Sequence, residues 1–182
     1  MIVSILDCKK SQIQYLKSSI SNLVSKMSNI KIINLDPQND AHKKAFKQIN
    51  YEWIEKYFKV EKGDLDSLEN PEKYFLATGG AVILACRGEE YLGTSALKPM
   101  GNDSYELCKM GVSESARGLG IGGLVGEAAI KKAKELGAKR VYLETNSSLT
   151  PALTLYAKLG FVRINNFTSP YIRADVAMEM WL

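Results

Sequence analysis

The chain is poor in histidine, in cysteine and in long apolar runs, and each shortage removes a class of chemistry. His42 is the sole histidine, which argues against Ser–His–Asp catalysis and against a His-rich metal site. Cys8, Cys86 and Cys108 are scattered, odd in number and without CxxC spacing. They offer neither a disulfide framework nor a zinc site, so no metal is expected, and they fit a reducing, cytoplasmic setting. No apolar run approaches the ~20 residues that a membrane span needs. The opening MIVSILDCKKSQ has no basic stretch before an apolar core, which argues against a secretory leader. Charge of one sign is also scarce. A net value of +4 suits a small anionic ligand but is too mild to imply nucleic acid. What remains, 182 residues of which 46% are apolar, is enough for one well-buried core and too little for two ordinary domains.

Hydrophobic periodicity orders the chain. Residues 10–28 place Ile13, Leu16, Ile20, Leu23, Val24 and Met27 at helical spacing. That stripe must be covered, either by the same domain or, in a homodimer, by a second copy. A strand at Ile30–Asn34 precedes a helix from Ala41 to Val60, whose start Asp36-Pro37 and Asp40 mark. Residues 61–73 are acidic and turn-rich, an irregular linker or a short helix. A hairpin is expected on either side of Arg87-Gly88-Glu89-Glu90, with a further turn at Gly101-Asn102-Asp103. Strand Tyr105–Val112, a glycine-initiated helix closed by Gly137, and strand Arg140–Thr145 form a βαβ crossover, whose strands should lie parallel. Thr150 as N-cap and Pro151 start a helix to Leu159; Phe161–Ile164 and Val176–Trp181 are the last strands. The expected class is α/β, with a mixed, mostly antiparallel sheet.

Chemistry concentrates in YELCKMGVSESARGLGIGGLVGEAAI, Tyr105 to Ile130. A strand feeds a glycine turn that opens a helix, where free N–H groups and the positive end of the helix dipole converge on an anion. Glycine suits that place because a side chain would hold a phosphate away from the backbone. A tight turn with close helix packing would use glycine as well. No GxxxxGK[ST] occurs, which excludes a P-loop. Gly118, Gly120 and Gly123 do match the dinucleotide fingerprint GxGxxG, with Glu144 downstream. In that fold, however, the glycines leave the strand end directly and open a long βαβαβ series. Here Ser113 to Arg117 intervene, and three antiparallel strands come first.

The run V-x-x-x-x-R-G-x-G-I-G, Val112 to Gly122, resembles the acyl-CoA-binding motif of the GNAT superfamily of N-acetyltransferases, with Arg117, Gly120 and Gly122 at the signature positions. A second segment, ALTLYAKLGF from Ala152 to Phe161, is similar to that family's A-x-x-x-Y-x-K-x-G-F. The resemblance covers residues 30–182 and leaves 1–29 as an N-terminal extension with its amphipathic helix. It implies a GNAT-like acyl-CoA N-acyltransferase fold, helices on both faces of the sheet, and acetyl-CoA as cosubstrate. Amides of Arg117, Gly118, Leu119, Gly120, Ile121 and Gly122 would hold the diphosphate, and Met110, Gly111 and Val112 would flank the pantetheine arm. Many members carry asparagine three residues before Ala152, where this chain has Leu149. Asn146, three residues earlier still, is the candidate to supply that contact.

The resemblance also implies catalytic roles. Glu106 is the candidate base, because an ammonium has no lone pair until it loses a proton; a solvated or ion-paired strand glutamate is the plainer reading. Tyr156 aligns with the tyrosine that protonates the coenzyme A sulfur, and would otherwise be a packed helix residue. Cys108 shares a strand face with Glu106, but no histidine nearby in sequence would activate the thiol, which argues against a covalent route. Acceptor residues are expected among Trp53, Tyr57, Tyr171 and Arg173. Trp53 reads first as a core residue and second as an acceptor contact, and Arg173 either clamps a carboxylate or pairs with Asp175. The expected function is direct acetyl transfer to a primary amine, a small molecule or an amino acid, in a ternary complex. A non-catalytic acetyl-CoA sensor and a nicotinamide-dependent reductase are the alternatives.

Overall fold

The computed structural model of the protein describes residues 12–15, 17, 18 and 29–182. The chain divides into two compact units, Met1–Ile30 and Lys31–Leu182. In the first, residues 12–15, 17 and 18 are helical; the rest of the helix expected over 10–28 lies outside the described residues. The second unit carries the sheet.

Its strands are β1 (Lys31–Asn34), β2 (Ala81–Arg87), β3 (Glu90–Gly101), β4 (Ser104–Val112), β5 (Arg140–Thr145), β6 (Val162–Ile164) and β7 (Val176–Trp181). Its helices are α1 (Asp40–Tyr57), α2 (Lys62–Glu69), α3 (Ile121–Glu135) and α4 (Thr150–Lys158). The strands form one mixed sheet in the order β1-β2-β3-β4-β5-β7-β6. β4 and β5 are the parallel pair, as the crossover through α3 requires. The other neighbours are antiparallel. A sheet of this kind is not the long parallel series that a dinucleotide fingerprint would need.

Both faces of the sheet are covered. On one, Ile83, Leu97, Leu107, Val141, Leu143 and Met178 pack with Ala129 and Ala133 of α3. On the other, Val82, Leu84 and Ala96 meet Phe46 and Ile54 of α1, Leu68 of α2, and Phe75. This explains β2, AVILACR, which is buried at every residue but its last: a central strand covered on both sides has no polar alternation. Small residues set how closely α3 lies on the sheet and on the end of α4. A Cβ added to Gly93 would come within 2.6 Å of Ile121 Cγ2, and one on Gly126 within 2.6 Å of Leu159 Cδ1.

Local capping fixes the element ends. Asn39 Oδ1 accepts from the N–H of Ala41 at 3.0 Å and of His42 at 3.4 Å, starting α1. α1 ends at Tyr57, short of the expected Val60. Residues 61–73, read as a linker or short helix, contain α2, whose first turn is tied by the Asp64 carboxylate accepting the Glu61 N–H at 3.0 Å. The expectation that Thr150 caps α4 is corrected: Thr150 is already helical, and Leu149 holds the cap position with no side-chain bond. Asn146 shapes the entry instead, its Oδ1 accepting the Ser148 N–H at 2.8 Å.

Candidate active site

β4 and β5 stay paired only from Ser104↔Arg140 to Glu106↔Tyr142. Beyond Glu106, β4 continues along β3 to Val112, while β5 follows β7 to Thr145. The two parallel strands therefore part. The cause lies in β4. Ala96↔Cys108 and Thr94↔Gly111 bracket an extra residue on β4, and Lys109 there has φ +48°. A bulge of this kind bends its strand and re-aims side chains. Into the gap opens a cleft of about 400 Å³, lined among others by Glu106, Cys108, Met110, Gly111, Val112, Arg117 and Gly122.

Main chain flanks one end of the cleft, beyond Arg117 and Gly122. Gly118 (φ +79°) and Gly120 (φ +75°) turn the backbone before α3, a conformation that favours glycine, and an added Cβ at either would meet nothing within 4 Å. Leu124 N–H is the first α3 amide to bond back, to Gly120 O at 3.2 Å. Among the described residues, the amides of Gly118, Gly120, Ile121, Gly122 and Gly123 donate to no carbonyl. They gather at a helix N-terminus with open space before them, which fits a diphosphate. Ile121 contributes only its amide, because its side chain is buried against Gly93. Gly118, Leu119, Gly120 and Ile121 form the bend between Arg117 and Gly122 and do not line the cleft itself. The Arg117 guanidinium rests on Glu114 at 3.2 Å.

Glu106 lies where the strands separate, half-buried. Burial above all, with the nearby Glu144 charge, raises its carboxyl pKa against the opposing pull of Lys98 and Lys109. Among the described residues no hydrogen bond reaches this carboxylate. Tyr156 reaches the cleft from α4, its ring edge-on to Phe161 at 6.1 Å. Burial pushes its phenol up to about 12. Cys108 is itself pushed well up, mainly by burial and by Glu106, so its thiol stays protonated and is a poor nucleophile. Asn146 lines the cleft, but its Nδ2 donates to the Arg173 carbonyl and its Oδ1 accepts from Ser148.

The other end is made of side chains from distant segments. Trp53, Tyr57, Phe58 and Tyr171 give it an aromatic wall. Behind them Asp64, fully buried, accepts from Lys109 Nζ at 2.7 Å. The same carboxylate takes both Arg173 amino groups, at 2.7 and 2.8 Å. Arg173 also reaches Glu61 at 3.0 Å. Burial alone would raise the Asp64 pKa, but these hydrogen bonds and the Lys109 charge hold it at about 2. The partners of Arg173 are thus Asp64 and Glu61, and not Asp175, which instead accepts from Ser147. Tyr171 is clamped between Lys109 and Arg173, 4.9 and 4.7 Å from its ring centre. Sequence reading missed Lys109, Asp64 and Glu144 as members of this site. A lysine on a strand pointing to a helix aspartate 45 residues away leaves no local pattern.

A parallel pair that parts beside an amide-rich glycine turn is the arrangement of an acyl-CoA N-acyltransferase. Residues 47–161 match the model of the acetyltransferase (GNAT) family. The chain belongs to that family and is an acetyl-CoA-dependent N-acetyltransferase. It is similar to the uncharacterized N-acetyltransferase YjgM of Escherichia coli K12, 29% identical over 133 residues, 70% of this chain and 78% of that one. An N-alpha-acetyltransferase of Sulfurisphaera tokodaii is 45% identical over 75 residues, 41% of this chain and 45% of that one. Among solved structures, a GNAT-family acetyltransferase from Staphylococcus aureus Mu50 superposes with a TM-score of 0.73 at 25% identity, covering 82% of this chain and 97% of the other. A Bacillus subtilis acetyltransferase in complex with CoA shares the fold, with a TM-score of 0.63 at 22% identity over 84% of this chain and 99% of the other. No described helix is long and apolar enough to cross a membrane.

Proposed function

We propose that the protein transfers the acetyl group of acetyl-CoA directly to the primary amine of a small molecule, in a ternary complex without an acyl-enzyme. The observation that carries this reading is the opening of β4 from β5 immediately after Glu106, with Glu106 and Tyr156 lining the same cleft. Acetyl-CoA would place its diphosphate on the free amides of Gly118, Gly120, Ile121, Gly122 and Gly123 and its arm beside Met110, Gly111 and Val112. The amides of Arg117 and Leu119 are already bonded to the carbonyls of Glu114 and Ala116. The unpaired edge of β4 offers a peptide-like arm the hydrogen bonds that β5 does not supply. Asn146, already tied to Arg173 and Ser148, would act on the arm through the shape of the wall.

In the reaction the amine nitrogen bonds the thioester carbonyl carbon and the carbon–sulfur bond breaks. The ammonium proton goes to the Glu106 carboxylate, whose raised pKa makes it a stronger base than an ordinary glutamate. A main-chain N–H near Met110 would stabilise the developing oxyanion. Tyr156 meets the leaving sulfur. Its phenol, at about 12, lies above a thiol's ordinary value of about 8.5. It therefore donates a hydrogen bond to the growing thiolate charge, and the second amine proton, shed as the carbon–sulfur bond breaks, passes to the sulfur so that CoA leaves as the thiol. The deciding experiment follows release of free CoA thiol over a library of amines. Turnover of at least one amine, lost in Glu106→Gln, supports the reading. Tight acetyl-CoA binding with no turnover of any amine would sink it in favour of a sensor.

A further inference from the structure

We infer that Glu144 is a second acceptor-binding carboxylate and that the amine this chamber takes is dicationic, carrying a second ammonium where an amino acid would carry its carboxylate. This rests on the transfer reading above and specifies its substrate class.

The charges around the chamber decide it. Glu106 and Glu144 both line the cleft, on neighbouring strands and on one face, since Glu106 pairs with Tyr142 and Glu144 follows two residues later. The cations of the same wall are already committed. Lys109 is bound by Asp64, and Arg173 by Asp64 and Glu61, so these four charges cancel among themselves. Arg117, which borders the glycine turn, shares the exposed Glu114 carboxylate with Lys56, at 3.2 and 2.8 Å, outside the acceptor end. Lys98, opposite Glu106 on β3, is exposed and makes no ion pair among the described residues. At the acceptor end, where Lys98 does not line the cleft, an entering carboxylate could reach Arg173 only by taking it from Asp64, leaving a fully buried carboxylate with half its partners. A second ammonium would displace nothing.

Glu144 is also held ready to receive one. The Tyr142 hydroxyl donates to its Oε1 at 2.8 Å and the Ser169 hydroxyl donates to its Oε2. Each oxygen keeps a further lone pair, so the group is fixed in place without being saturated. Arg173 already faces Tyr171 and Phe58, so Trp53 and Tyr57 are the rings that suit the methylene chain of such an amine.

The test compares an α,ω-diamine with the monoamine and the ω-amino acid of the same chain length, in wild type and in Glu144→Gln. The amide keeps an oxygen for one hydroxyl and the shape of the side chain. In wild type the diamine is expected to exceed both others in kcat/KM by about tenfold or more, the scale of one charge-assisted hydrogen bond. In Glu144→Gln the diamine-to-monoamine ratio falls by about tenfold. That ratio cancels any general loss from a disturbed base or fold. An ω-amino acid used as well as the diamine, or an unchanged ratio in the variant, overturns the proposal. Should no amine turn over, the transfer reading fails separately, and thermal shift in the presence of CoA judges the chamber. A rise in Tm with the diamine that exceeds the rise with the ω-amino acid, and that vanishes in Glu144→Gln, sustains the inference; equal or absent shifts refute it.

Discussion

The two ends of the cleft solve the problem of holding charge with different materials. At the glycine turn the groups proposed to bind are the free main-chain amides of Gly118, Gly120, Ile121, Gly122 and Gly123, close together in sequence and supplied by backbone geometry rather than by side chains. At the acceptor end they are side chains from α1, α2, β4, β5 and residues 171–173, brought together by ion pairs centred on Asp64. The first end is preformed by backbone geometry and needs little from the rest of the protein. The second exists only when the whole domain is folded, and its specificity can change by single substitutions that leave the first untouched.

The largest effect should come from breaking the centre of the second end. Asp64→Ala leaves Lys109 and Arg173 without their shared partner in a buried position, which costs about 3–5 kcal/mol. Urea unfolding would read it as a lower midpoint, and a loss below about 1 kcal/mol would place Asp64 with ordinary surface pairs. Next in size is Glu106→Gln, at the meeting point of the two ends, with kcat lowered about a hundredfold and the acetyl-CoA KM unchanged. The acidic limb of the wild-type rate profile should lie above the ordinary carboxylate range, because burial and Glu144 raise the Glu106 pKa and only the deprotonated form accepts a proton.

Acid titration separates the two ends by stability alone. The Asp64 carboxyl drops from its ordinary 3.8 to about 2 in the folded protein. A depressed carboxyl contributes stability that is fully present above the unfolded value and is lost as pH falls through the folded one. The window is thus from just above 3.8 down to about 2, and the contribution is about 2 kcal/mol. Unfolding followed across that window should show the loss in wild type and a flatter acid limb in Asp64→Asn, whereas substitutions in the glycine turn should leave it in place.

The same contrast explains what could be read from the residues. The turn, the crossover around it and the alternation of covered strands are local patterns, and GLGIGG with its preceding Arg117 carries its own geometry. The bulge at Lys109 is not local: nothing in CKMGV distinguishes a regular strand from one with an inserted residue. It shifts the alternation after Cys108, so residues beyond it point to faces that a period of two misassigns. Arg173 illustrates the other limit. Its side chain type suggested a ligand for a carboxylate, and the carboxylate it meets belongs to Asp64, separated by 109 residues. The helix bearing Asp64 was itself ambiguous, because KGDLDSLE holds a glycine and three acidic residues and shows its apolar face only through Leu68 against the core.

The smallest effect tests whether the first end is main chain and nothing more. Gly120→Ala places a methyl where nothing lies within 4 Å, so no clash contributes, and the cost is that of φ +75° for a residue with a Cβ. That amounts to about 1–2 kcal/mol. Gly79, at φ +87° and equally open, is the control, since it carries the same backbone strain away from the cleft. Both alanine variants should lower Tm alike. Gly120→Ala alone should raise the acetyl-CoA KM, because its methyl stands over the amides that a diphosphate must approach, and should leave the amine KM as it was. If Gly79→Ala raised the acetyl-CoA KM equally, strain and not access would govern the turn, and the two ends of the cleft would be less independent than their construction implies.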